Sequence, residues 1–128
     1  ISYKNVNDNT PAFTDGATGT ASVAENVQAV GTFAATDGDA NAALTYSIIA
    51  ADADATSVDH DLFSIVGATG ALTFTNAPNF EAPGCGAGND ANTCVVVLSV
   101  TDTATTDTIT VTVTITDDDE FDVPSFLK

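Results

Sequence analysis

Asp107-Thr108-Ile109-Thr110-Val111-Thr112-Val113-Thr114-Ile115-Thr116 places a β-branched aliphatic residue at every second position and threonine at most of the others. A period of two puts Ile109, Val111, Val113 and Ile115 on one face of an extended chain, so the segment reads as a strand with one buried side. Upstream, Cys94 to Thr101 carries Val96, Leu98 and Val100 at the same spacing, and the link from Asp102 to Thr106 reads as a hairpin turn. Leu44, Tyr46 and Ile48 mark a further strand, Phe63 with Ile65 a shorter one and Leu72 with Phe74 another; Thr20 to Ala24 and Thr32 to Thr36 add two more. No stretch shows helical spacing with caps. Seven short strands separated by turns rich in Gly, Asp and Asn predict an all-β fold, a seven-stranded antiparallel Greek-key β-sandwich of immunoglobulin-like architecture. The segments 50–61 and 77–93 break the alternation and are expected on the surface.

A chain of 128 residues suits one domain of this kind and is too short for two separate cores. Lys4 and Lys128 face 18 acidic side chains, and the formal charge of -16 excludes electrostatic binding to nucleic acid or anionic lipid. Cations are the charged partners left, and without them the carboxylates should repel one another and destabilise the fold. The first residues lack a basic patch and an apolar run, and no later segment approaches the length of a membrane-spanning helix. A piece of a longer polypeptide, not inserted in a membrane, is expected.

Cys85 and Cys94 bracket a loop of glycine and small polar residues that lets its ends meet. A disulfide there would place the chain in an oxidising, extracellular setting and contribute about 2.5 to 3 kcal/mol by the chain-entropy model. The rival is a cysteine metal site, for which two thiols and a distant His60 fall short of the four ligands zinc takes.

Oxygen donors cluster in Asn5-Val6-Asn7-Asp8-Asn9-Thr10-Pro11, which the proline keeps out of a helix; such crowding suits a hard cation, calcium above all. Asp37 and Asp39 end the second predicted strand and Asp102 the sixth, so at one pole of a sandwich they can join Asn7 and Asn9 around an ion. At the other pole Glu25 follows the first strand, Glu81 follows a proline turn, and Asp117-Asp118-Asp119-Glu120 leaves the last strand. A second ion-binding pole is implied. An EF-hand is excluded, because Ala42 and Ile48 stand where its glycine and closing acid belong. Catalysis is not expected either: Asp59-His60-Asp61 reads as a solvated loop, with no nucleophile identifiable by spacing.

In order along the chain these elements resemble a cadherin or bacterial cadherin-like repeat, over nearly everything from Asn5 to Glu120. The linker pattern D-x-N-D-N-x-P is matched by Asn5 to Pro11, the early glutamate by Glu25, D-x-D by Asp37-Gly38-Asp39, D-R-E by Asn79-Phe80-Glu81, the late aspartate by Asp102 and the closing linker by Asp117 to Phe121. The resemblance implies a cadherin-like sandwich at 12–116 between calcium linkers at 1–11 and 117–128. It implies further that Glu25, Glu81, Asp117 and Glu120 meet calcium shared with a following domain. Asn7, the Asn9 carbonyl, Asp37, Asp39 and Asp102 would meet calcium shared with a preceding one, toward which Asp8 bridges. Asn5 and Asn79 replace acids of the pattern, so weaker affinity is expected there.

The expected function is a calcium-binding extracellular repeat of a cell-surface adhesin in which calcium stiffens a tandem array. Scarce lysine, no methionine or tryptophan, and abundant Ala, Thr and Asp suggest a bacterial source. The partners are adjacent domains of the same polypeptide, with a cell-surface glycan or protein as a further ligand. The alternative is a carbohydrate- or peptide-binding module using the loops 50–61 and 77–93, against which stands the lack of tryptophan for stacking.

Overall fold

The alternating run forms the longest strand, Thr106–Thr116, and Ile109, Val111, Val113 and Ile115 are each at most 3% exposed, while the threonines between them are exposed or half-buried. The computed structural model describes residues 10–38, 43–52, 54–86, 88 and 90–117. Their strands are β1 (Ala12–Phe13), β2 (Thr18–Ala24), β3 (Ala29–Thr32), β4 (Ala35–Thr36), β5 (Thr45–Ile49), β6 (Phe63–Ile65), β7 (Ala71–Phe74), β8 (Thr93–Thr101) and β9 (Thr106–Thr116). A four-stranded sheet in the order β2-β9-β8-β5 and a three-stranded sheet in the order β3-β7-β6 form the two layers, and β1 pairs with β4.

Apolar side chains from both sheets make one core. Val96, Leu98 and Val100 of β8 and the four aliphatics of β9 come from one layer, Phe63, Leu72 and Phe74 from the other, with Phe13 and Tyr46 beside them. The rings of Phe63 and Phe74 stack at 4.5 Å between centroids, and Phe13 meets Tyr46 at 6.1 Å. Burying each such side chain stabilises the fold by about 1.5 to 3 kcal/mol, which is why the alternating strands dominate the architecture. Gly70, just before β7, shows how close the backbone of the β3 edge comes. Its φ is +82°, and a Cβ there would lie 2.7 Å from the Phe33 carbonyl oxygen, which a side chain could not accommodate.

The sandwich departs from expectation in four places. The predicted strand 32–36 is two pieces, β3 and β4, because Phe33 leaves the edge to bury its ring (6% exposed) while its N–H donates to the Gly70 carbonyl. With β1 this gives nine strand segments among the described residues, the seven expected runs being present with β1 added and one run split. The sandwich is not wholly antiparallel: β2 runs parallel to β9, Thr18 opposite Thr110 through Ala24 opposite Thr116. The segments 50–61 and 77–93 are not simply surface. Ser57, Asp59 and Cys85 are buried, and His60–Leu62 forms a single 3-10 turn.

Candidate metal centre

The parallel pair decides where the acids go. Ala24 stands opposite Thr116, and one step further the Glu25 N–H donates to the Thr116 carbonyl (3.0 Å). Adjacent antiparallel strands exit a sheet at opposite ends; a parallel pair delivers both chain exits, and hence Glu25 and Asp117, to one end. The third acid comes from a loop held to the same place. Asn26 adopts a left-handed conformation (φ 69°) and its N–H donates to the Pro78 carbonyl (2.8 Å), and the Phe80 N–H donates to Glu25 Oε1 (3.2 Å). Asn79 then turns the chain, its Oδ1 accepting from the Glu81 N–H (3.1 Å) and its carbonyl from the Ala82 N–H (3.0 Å). In this position, where an acid was expected, the amide forms the turn that presents Glu81.

Carboxylate oxygens of Glu25, Glu81 and Asp117 all lie within 4.8 Å of one another. Oxygens sharing one calcium at about 2.3 to 2.6 Å are separated by at most about 5 Å, so the three fit a common ion. Glu25 is 1% exposed and the other two are exposed, giving a site anchored from inside the fold and open toward solvent. A side-chain hydrogen bond with Glu25 holds the Glu81 carboxyl above its ordinary value, with lost hydration and the negative charges of Glu25 and Asp117 pushing the same way. Such crowding is what a divalent cation would relieve. Hard oxygen donors and this spacing fit calcium.

The opposite pole holds the other group. Pairing of Ala12 with Thr36 sets Asp37 beside Pro11, and the bond from the Phe13 N–H to Asp107 Oδ2 (2.9 Å) fixes β1 against the beginning of β9. Asp37 therefore shares an end of the sandwich with Asp102, which follows β8. Asp102 is 2% exposed and serves a structural purpose, since its Oδ1 accepts from the N–H groups of Ala104 (3.0 Å) and Thr105 (2.7 Å) and so closes the β8–β9 hairpin. Asn7, Asn9, Asp39 and Glu120 lie outside the described residues.

No protein-family model and no curated protein sequence matches the chain. Solved structures do. Mouse cadherin-23 EC22-24 superposes with a TM-score of 0.67 at 21% identity, over 89% of this chain and 33% of that one. Mouse clustered PcdhgC3 EC1-3 gives 0.70 at 24% identity over 91% and 36%, and the protocadherin gammaB7 EC3-6 cis-dimer 0.69 at 20% over 94% and 28%. The fold is cadherin-like. This chain spans about a third of the length of those structures.

Within the cadherin-like domain several polar residues have roles that sequence patterns did not disclose. Asp59 is 3% exposed: Oδ1 accepts from the Gly86 N–H and Oδ2 from the Val95 N–H, both at 2.8 Å. Ser57, fully buried, donates its hydroxyl to the Ile49 carbonyl (2.6 Å) and accepts from the Val97 N–H (3.0 Å). Together they continue along β8 where β5 stops, so side-chain oxygens satisfy ladder amides that would otherwise be unpaired. The expectation that Asp59-His60-Asp61 is a solvated loop holds for Asp61, whose side chain is 88% exposed, and fails for Asp59. Cys85 and Cys94 are joined by a disulfide, Cα atoms 4.9 Å apart. The two sulfurs lie within 4.8 Å of an Asp59 oxygen, but being bonded to each other they do not form the cysteine metal site considered above. The partners of Asp59 are 27 and 36 residues away, which is why no local motif betrays it. Among the described residues the large apolar side chains that are exposed are Val27, Val58 and Val66. No helix is long and apolar enough to cross a membrane.

Proposed function

We propose that this chain is a calcium-binding extracellular repeat of a cell-surface adhesin, in which ions at the domain poles stiffen a tandem array. The observation that carries the reading is the convergence of Glu25, Glu81 and Asp117 at the point where the chain leaves the sandwich. Asp117 directly follows the last strand and opens the segment 117–128, so an ion held there ties the sandwich to whatever comes next. Two acidic domains joined by a few residues would repel each other; a divalent ion at the joint neutralises and braces it. The disulfide and the excess of 18 acids over two lysines suit an extracellular, calcium-rich setting.

A second support lies in the sequence. Pro11-Ala12-Phe13, whose proline and phenylalanine are buried at the start of β1, recurs as Pro124-Ser125-Phe126. The same signature after an acidic linker is what the start of another sandwich would show. In this reading 1–11 and 117–128 are linkers, 12–116 is the sandwich, and Asn7, Asn9, Asp37, Asp39 and Asp102 serve an ion shared with a preceding domain. The composition suits a bacterial adhesin.

Thermal unfolding with and without millimolar calcium tests the proposal. A ligand selective for the folded state raises the midpoint. The rise should disappear when excess chelator is added and shrink in Glu25→Ala; an unchanged midpoint would remove the basis of the reading.

A further inference from the structure

We infer that Asn92 and the Cys85–Cys94 disulfide form a brace that positions the Glu25, Glu81 and Asp117 cluster, so that calcium affinity at this pole depends on the redox state of the disulfide. The inference rests on the calcium reading above. Its basis is the Phe80 peptide, which adjoins Glu81 and is held on both sides. Its N–H donates to Glu25 Oε1 (3.2 Å), and its carbonyl accepts from Asn92 Nδ2 (3.0 Å). Asn92 is in turn tied to the strand that delivers Asp117, because its backbone carbonyl accepts from the Ile115 N–H (2.8 Å). One residue thus links the loop carrying Glu81 to the strand carrying Asp117.

What holds Asn92 is the disulfide loop. Asn92 lies two residues before Cys94, and Cys85 exchanges both backbone hydrogen bonds with Ala91 at 2.9 Å. Asp59 pins the same loop through Gly86 and Val95. Packing assists: Phe80 and Ala91 are half-buried against the core, and both cysteines lie within it. A cavity of about 230 Å³, lined by Leu62, Phe74, Pro78, Asn79, Ala82 and Ile115 among others, backs the segment that carries Glu81. Beside that open cavity the position of Glu81, which is exposed, is set by the contacts of Phe80 and by the covalent closure at Cys85. Opening the disulfide frees the 85–94 loop, releases Asn92 from the Phe80 carbonyl, and lets Glu81 move away from its two partners. Partners of ligand-bearing groups typically contribute about 10- to 100-fold to metal affinity.

The experiment measures two quantities on the same protein before and after reduction: amide exchange of Phe80 without calcium, and calcium affinity by titration calorimetry. Asn92→Ala, which keeps the disulfide, and Cys85→Ser with Cys94→Ser complete the set, and Glu81→Gln assigns the heat of this pole. Reduction should speed Phe80 exchange and weaken calcium about 10- to 100-fold here, with the other pole unchanged. Reduction of Asn92→Ala should add no further loss, since both changes cut one brace. Faster exchange with unaltered affinity overturns the inference, as does equal weakening at both poles, which would mean general destabilisation. Failure of the oxidised protein to bind calcium at all would sink the calcium reading and the inference together; binding that ignores reduction sinks the inference alone.

Discussion

Two groups of carboxylates in this domain have opposite surroundings. Asp59 and Asp102 face backbone N–H groups, Gly86 and Val95 for the first and Ala104 and Thr105 for the second. Glu25, Glu81 and Asp117 face one another. A carboxylate ringed by amides is finished as a structural element: its charge is neutralised by dipoles and it closes a loop. Carboxylates crowded together repel one another, and in the proposed reading a cation relieves that repulsion. Acidic residues of one composition therefore divide into fasteners and proposed ligands according to what the backbone points at them.

The largest effect should separate the two groups outright. Asp59→Ala leaves two buried N–H groups unpaired and should destabilise the domain by about 3 kcal/mol with or without calcium, measured by chemical unfolding. Glu25→Ala should behave in the opposite way, removing the gain that calcium confers at this pole, about 2.7 kcal/mol where calcium stands at a hundredfold its Kd for the site. If Asp59→Ala instead removed a calcium effect and Glu25→Ala did not, the division would be reversed.

At the far pole both roles meet. Asp102→Ala should cost about 1 to 2 kcal/mol even without calcium, because the hairpin loses its cap. Asp39→Ala should erase most of the calcium-dependent gain of that pole. A smaller, pH-dependent effect belongs to Glu81. The fold holds its pKa above the ordinary 4.5, so in calcium-free protein its contribution is complete below that value and is lost as pH rises through the raised one. Calcium requires the ionised form, so the gain from calcium should fall on acidification across the same window. Glu81→Gln should flatten both trends and raise the calcium-free melting midpoint at neutral pH while weakening calcium. Least of all, Asp61→Ala, on a side chain 88% exposed, should stay within about 0.5 kcal/mol of the parent protein.

Much of the sandwich could be read without coordinates because strand patterning is local. The apolar phase of Ile109 to Ile115 and of Val96 to Val100 survives into the core unchanged. Phe33 marks the limit: its burial breaks a strand that propensity alone would continue, since propensity does not know where the opposite layer lies. The candidate site was legible as a set of acids at strand ends. Sequence shows Asn79 only as a missing charge in the pattern; the fold adds that its Oδ1 accepts from the Glu81 N–H and shapes the turn. Asn92 gave no signal at all, because its importance consists of contacts with Phe80 and Ile115, 12 residues back and on another strand.

Composition and period, being properties of neighbouring residues, are enough to require an acidic all-β domain with its threonines outward and its carboxylates at the strand ends. They could not say that β2 lies parallel to β9, and it is this pairing that brings Glu25 and Asp117 to one pole. Nor could they separate Asp59, fastened by amides, from Glu81, crowded by acids. Which groups surround a charge depends on chain segments distant in sequence, and only the folded backbone brings those segments together.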